Sequence, residues 1–248
     1  MDRGDGVRLA FARQAGKGPT IVWLSGFNSD MGGTKAEALA AWSDAKNHAF
    51  LRLDYSGHGR SEGDFADGTI SRWRDDALAV IDAHPAKNGE NGDLVLIGSS
   101  MGGWIALLIA LARPDRTKGL ILIAPAPDFT EAMWPELPEA ARRQIETTGR
   151  WDMPSDYDPA PTPITRGLIE DGRRNLLLNK PIPFRGPVQI YQGMCDPDVP
   201  WTHAVKVAEA LESPNTALTL IKDGDHRLSR PQDIARLLEL TERFLSAL

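Results

Sequence analysis

The sequence predicts an α/β fold built on a mostly parallel sheet. Short β-branched or aliphatic runs alternate with longer helical patterns, and several runs are apolar without interruption, among them Leu94-Val-Leu-Ile97 and Leu120-Ile-Leu-Ile123. Strands apolar at every position are buried on both faces, as in a parallel sheet covered by helices. The alternation itself implies right-handed crossovers. In order, the candidate strands are 7–13, 20–24, 49–54, 93–97, 119–123, 188–191 and 217–221. Between them, Ile70, Trp73, Ala77, Leu78 and Ile81 share one face at 3.6-residue spacing, and residues 102–112 form an apolar helix. A last helix follows the start signals Ser229 and Pro231, with Ile234, Leu237, Leu238, Thr241, Leu245 and Leu248 on one face.

Composition narrows the class. The chain has 248 residues, 42% hydrophobic and 25% charged, with a formal net charge of −6. That balance is the one of a folded globular protein of one or two domains. The acidic surplus argues against a nucleic-acid partner, which needs a basic surface. One cysteine allows neither an intrachain disulfide nor a thiolate zinc site. No apolar run approaches the roughly 20 residues of a membrane span, and the start Met1-Asp-Arg-Gly-Asp-Gly lacks the apolar core of a signal peptide. A cytoplasmic setting is expected.

One stretch breaks the rhythm. Of the 18 prolines, 11 lie from Pro125 to Pro187, a segment with two plausible helices, 136–148 and 164–178, and no convincing strand. Long inserts in compact domains are usually lids or binding loops. The expected organisation is a core of residues 1–124 and 188–248 carrying a small helical lid at 125–187.

The sharpest local signal is Gly98-Ser99-Ser100-Met101-Gly102. It follows a buried strand and opens an apolar helix, which is the setting of a nucleophile elbow. Ser100 would sit on a strained turn, with glycines at both flanks because side chains there would clash. The helix behind it aims N–H groups and the positive end of its dipole at developing negative charge. A serine hydroxyl needs a base, and in this arrangement the order is Ser, acid, His. Of the histidines downstream, His203 opens a helix, whereas His226 follows the last strand directly and is the expected base. The acid should follow strand 188–191, where Asp196 and Asp198 compete; Asp196 is favoured for holding the His226 tautomer. The oxyanion donors expected are the N–H of Met101, after the nucleophile, and of Phe27, in the loop Ser25-Gly26-Phe27 after strand 20–24. Asp196-x-Asp198 without further clustered ligands is weak evidence for a metal, and neither metal nor organic cofactor is expected.

Taken together, these residues resemble the α/β-hydrolase superfamily, and more narrowly its mitochondrial palmitoyl-protein thioesterase and acyl-glucuronide esterase branch. The resemblance spans nearly the whole chain. It rests on Gly33-Thr-Lys-Ala36, Asp54-Tyr-Ser-Gly57 with Ser61, Trp73, Gly98-Ser-Ser-Met-Gly-Gly-Trp104, Trp151-Asp-Met-Pro-Ser155 with Tyr157, Gly193-Met194 with Asp196 and Val199-Pro-Trp201, and Asp225-His-Arg227. It implies Ser100, Asp196 and His226 as the triad, and acyl thioesters or esters, small or on an S-acylated protein, as substrates. Two departures stand out: the chain shows no basic, Ser-rich leader, and Gln192 stands where the family has His.

Phe129, Met133, Trp134, Leu137, Trp151, Met153, Ile164 and Leu168 are candidates to line an acyl groove, against the alternative that they form the insertion's own core, and Trp201 is a further candidate to contact substrate. Arg142, Arg143, Arg166, Arg173 and Arg174 could bind a carboxylate or simply face solvent. The rival functions are a broad carboxylesterase of short-chain or aryl esters and a non-catalytic binding module. A C–C hydrolase or lactonase would use the same residues.

Overall fold

The computed structural model describes residues 1–84, 90–154 and 160–248; Ser155 and Tyr157 of the family pattern lie outside that range. The strands are β1 (Phe11–Gln14), β2 (Lys17–Leu24), β3 (His48–Leu53), β4 (Glu90–Ser99), β5 (Thr117–Ile123), β6 (Arg150–Met153), β7 (Thr162–Thr165), β8 (Val188–Gly193) and β9 (Thr216–Ile221). The helices are α1 (Thr34–Lys46), α2 (Ile70–Ala83), α3 (Met101–Ala112), α4 (Phe129–Glu136), α5 (Glu139–Thr148), α6 (Arg166–Arg174), α7 (Trp201–Ala210) and α8 (Pro231–Ser246), with a 3-10 turn at Phe65–Asp67.

Seven strands form one sheet in the order β1-β3-β2-β4-β5-β8-β9. Only β1 runs antiparallel to its neighbour; the other pairings are parallel. This is the α/β-hydrolase fold the sequence implies. The continuous apolar strands divide their side chains between two cores, as a two-residue period requires. Val22, Leu24, Leu94, Leu96, Leu120 and Leu122 face α2 and α3 on one side. Ile21, Trp23, Ile97, Ile121 and Ile123 face α1 and α8 on the other. Helix α3 is apolar around its circumference because nearly all of it is buried, pressed against β4 and β5.

Element ends depart from the sequence reading in places. The first strand begins only at Phe11, since the preceding residues fold back through an Asp2–Arg8 bridge and a bond from the Met1 amine to the Leu9 carbonyl. Arg230, rather than Ser229, caps α8, through a reciprocal arrangement with Asp233. The helix stops at Ser246, so Leu248 lies exposed beyond its apolar face.

The segment between β5 and β8 differs most. The helix expected at 136–148 is α5, starting at Glu139, and an unexpected helix, α4, precedes it; the two are separated at Leu137-Pro138, where the residue before a proline is driven out of helical conformation. The stretch expected to hold no strand contains the hairpin β6–β7, with Trp151 opposite Ile164. Residue 164 is therefore in a strand, and α6 starts at Arg166 behind a Thr165 cap. Pro163 in one of these four-residue strands and Arg150 and Asp152 in the other obscure the signal. The two ends of the segment are closed on each other by Asp128, whose carboxylate accepts from the backbone N–H groups of Leu177 and Leu178 at 2.9 and 2.8 Å. Among the described residues, no helix is long and apolar enough to cross a membrane.

Candidate active site

Ser100 lies at the turn from β4 into α3 with φ 55° and ψ −120°, in a region that costs a non-glycine residue about 1–3 kcal/mol. The turn is locked from both directions. Ser100 N–H donates to the Ile123 carbonyl at 2.8 Å, while its own carbonyl accepts from Gly103 and Ala126. A Cβ on Gly98 would stand 2.2 Å from the Gly102 carbonyl oxygen, and one on Gly102 would stand 2.0 Å from that of Leu24. The glycine spacing is thus a packing requirement between β2, β4 and α3.

His226 and Asp196 arrive from the ends of β9 and β8, 126 and 96 residues further along the chain. His226 Nδ1–H donates to Asp196 Oδ2 at 2.8 Å. A carboxylate can only accept there, so Nε2 carries the lone pair, and Ser100 Oγ–H donates to it at 3.1 Å. The Asp196 carboxylate is sequestered from solvent, whereas the imidazole keeps 21% exposure. Burial alone would raise the Asp196 carboxyl, but bonds from His226 and from the Val199 and Asp198 amides outweigh it and hold the group below its ordinary value. The negative charge beside His226 is therefore maintained. Asp198, the competing acid, is exposed. Asp196, Asp198 and His226 bring potential metal-ligand atoms within 4.8 Å, but the Asp196 and His226 atoms are already bonded to each other. His203 instead meets the Pro127 carbonyl at 2.9 Å through Nε2.

Two residues noted in the sequence gain their partners here. Gln192 is fully buried, and its Nε2 lies 3.0 Å from Asp196 Oδ2, the same oxygen that His226 uses. It also reaches the Gly193 and Val199 carbonyls, bracing the acid loop. Lys35, from the Gly33–Ala36 motif, donates to the carbonyl of Arg227, the residue after His226. Burial lowers its ammonium to about 8 against the opposing pull of Asp225. The motif was visible in sequence; its partner, 192 residues away, was not.

The loop after β2 packs against Ser100. A Cβ on Gly26 would be 3.3 Å from Ser100 Cβ, so the loop backbone approaches Ser100 as closely as a missing side chain allows. Tyr55 Oη donates to the Ser25 carbonyl at 3.3 Å, fixing the loop's base. Among the described residues, no acceptor engages the backbone N–H of Phe27 or of Met101.

Trp134, Trp151 and Met153 are half-buried against the small core of Leu137, Ala141, Ile145, Ile164 and Ile169, which the Phe27 ring also joins. Trp201 is not among them; it stands 37% exposed at the start of α7. Of the arginines considered for a carboxylate, Arg143, Arg173 and Arg174 pair with Glu139, Glu131 and Asp171, and Arg166 bonds carbonyls at the end of α5. A surface recess of about 650 Å³ lies between β9 and α8 and includes none of Ser100, Asp196 or His226.

Comparison with known proteins agrees with this geometry. The family model described as serine aminopeptidase, S33, matches residues 17–160. Mouse mitochondrial palmitoyl-protein thioesterase ABHD10 is 37% identical over 96% of this chain and 79% of its own; the human protein is 35% identical over 96% and 76%. This chain is an α/β hydrolase of the ABHD10 branch. It belongs to the ester- and thioester-cleaving hydrolases. The solved structure of mouse ABHD10 superposes on this hydrolase with a TM-score of 0.89 at 35% identity, covering 100% of this chain and 97% of the other. A hydrolase from Agrobacterium vitis S4 gives 0.92 at 43% identity, covering 98% and 95%.

Proposed function

We propose that this hydrolase cleaves acyl thioesters and acyl esters through an acyl-enzyme on Ser100. The observation that carries this reading is the unbroken chain of hydrogen bonds from Ser100 through His226 to Asp196, set on a strained elbow beside two unengaged amides. Ser100 Oγ attacks the acyl carbon while its proton passes to His226 Nε2. The resulting oxyanion lies against the N–H groups of Phe27 and Met101, each such donor being worth about 100- to 1,000-fold in rate. The C–S or C–O bond then breaks, and His226 returns its proton to the leaving group. A water deprotonated by His226 next attacks the acyl-serine, releasing the acid and restoring Ser100. Asp196 keeps the imidazole in the required tautomer and stabilises its charged form.

The relatives' name, palmitoyl-protein thioesterase, favours long acyl chains and an S-acylated protein or small thioester as substrate. In this reading the 125–187 segment is the acyl-binding lid, and Trp134, Trp151 and Met153 offer the apolar surface. Intact-mass analysis after fluorophosphonate treatment tests the chemistry. One adduct is expected on the wild type and none on Ser100→Ala; no adduct on folded wild type would leave a binding module as the reading to pursue. An acyl-length series then decides the substrate: a steep rise toward long thioesters is expected, and a preference for acetyl or butyryl esters would make this a short-chain carboxylesterase.

A further inference from the structure

The Phe27 ring is wedged between two bodies. On the core side it meets Phe65 with centroids 5.0 Å apart and Trp73 at 5.8 Å, both edge-on. Trp73 is itself fixed, fully buried with its indole N–H on the Ser56 carbonyl at 3.2 Å. The ring also meets Phe129, the first residue of α4, at 5.4 Å. Phe27 thus packs against the main core and against the small core of the 125–187 segment at once. The next residue is held the same way. Asn28 has a left-handed backbone, φ 52°, and its Nδ2 donates to Oγ1 of the buried Thr162 on β7 at 3.2 Å. Phe129 and Thr162, 102 and 134 positions further along the chain, therefore grip two consecutive residues of the loop lying against Ser100.

From these contacts we propose that the 125–187 segment positions the oxyanion-binding amide of Phe27, with Phe129 and Thr162 as positioning residues. The proposal rests on the reading of Phe27 N–H as an oxyanion donor. An amide acts on the developing oxyanion only when it is aimed at the site the oxygen occupies in the tetrahedral state, because preorganisation supplies the rate. The loop's own bonds fix Ser25, at its base. Beyond it the aim of the Phe27 amide depends on the ring wedge and on the Asn28 side chain. Both grips act on the amide and not on Trp134, Trp151 or Met153, the side chains assigned to the acyl chain, so loosening them lowers turnover without changing ground-state affinity.

The test uses the full-length wild type, Thr162→Val and Phe129→Ala, with rates normalised to the Ser100 that fluorophosphonate can label. Each is measured for kcat and KM on an activated ester and for inhibition by an alkyl trifluoromethyl ketone, which forms a tetrahedral adduct on serine. Thr162→Val, a nearly isosteric loss of one hydrogen bond, should lower kcat about threefold to tenfold. Phe129→Ala should lower it further. Ketone affinity should fall by the same factor with KM unchanged, a split that a loss of folded protein cannot produce. Wild-type kcat in both variants, or a rise in KM alone, overturns the proposal. The Phe27 amide proton, followed by NMR, separates the two layers. If it does not move downfield when the ketone binds wild type, the oxyanion reading fails. If it moves equally in all three proteins and kcat is unchanged, only the positioning role fails.

Discussion

Lowering the pH should destabilise this hydrolase through His58. The side chain is 3% exposed, enclosed by Tyr55, Phe65 and Trp73 with centroids 5.5, 4.9 and 5.1 Å away. Nδ1–H donates to the Ser56 carbonyl at 3.2 Å, while Nε2 is buried with no partner among the described residues. A proton on Nε2 would be a buried, unpaired charge. Burial accordingly pushes the group from 6.5 down to about 4, with the Ser56 bond opposing only in part. The sign follows from which state binds the proton. Above the unfolded value neither state is protonated and His58 contributes no pH dependence. Between that value and about 4 the unfolded chain takes up a proton that the folded chain refuses, so stability falls as pH falls. At about 1.4 kcal/mol per unit the full loss is about 3 kcal/mol, of which about 2 is already felt near pH 5. Urea unfolding of wild type and His58→Leu at neutral pH and near pH 5 isolates this contribution, since the carboxylates titrate in both. The variant gives up ring contacts and starts less stable, but its acid loss should be smaller by about 2 kcal/mol. Equal losses in the two proteins would refute the argument.

The elbow and acid loop make two further expectations. Gly102→Ala would set a methyl 2.0 Å from the Leu24 carbonyl oxygen, a backbone atom that cannot yield without moving β2; fluorophosphonate labelling should be abolished, and full labelling would show that the packing is looser than described. Gln192→Met keeps the volume but removes the N–H aimed at Asp196 Oδ2. The acid loop is then less firmly braced, so kcat/KM should fall about threefold to tenfold. An unchanged kcat/KM would contradict that role.

The nucleophile turn could be read from sequence because its determinants are local. Gly98, Ser100 and Gly102 lie within five residues, behind a strand whose apolar run announces burial on both faces. Asp196 and His226 were legible for a related reason: strand order puts the ends of consecutive strands at one edge of a parallel sheet, so the residue after each is a candidate. Between Asp196 and Asp198 the sequence could only weigh position. In the fold Asp196 is buried beside His226, while Asp198 is exposed.

What the tertiary structure alone decided are the contacts between distant parts of the chain. Gln192 is a plain polar residue until β8 and the acid loop close around it. Lys35 is a charged residue in a helix until α1 meets the His226 loop. The hairpin β6–β7 escaped detection because four-residue strands containing a proline and charges carry little periodic signal; cross-strand pairing and the small core beneath it hold them. Asn28 and Thr162 bear no mark of each other in the sequence. Local chemistry settles which residues can form a turn, cap or strand, but a side chain's partner is set by packing, which depends on every element at once.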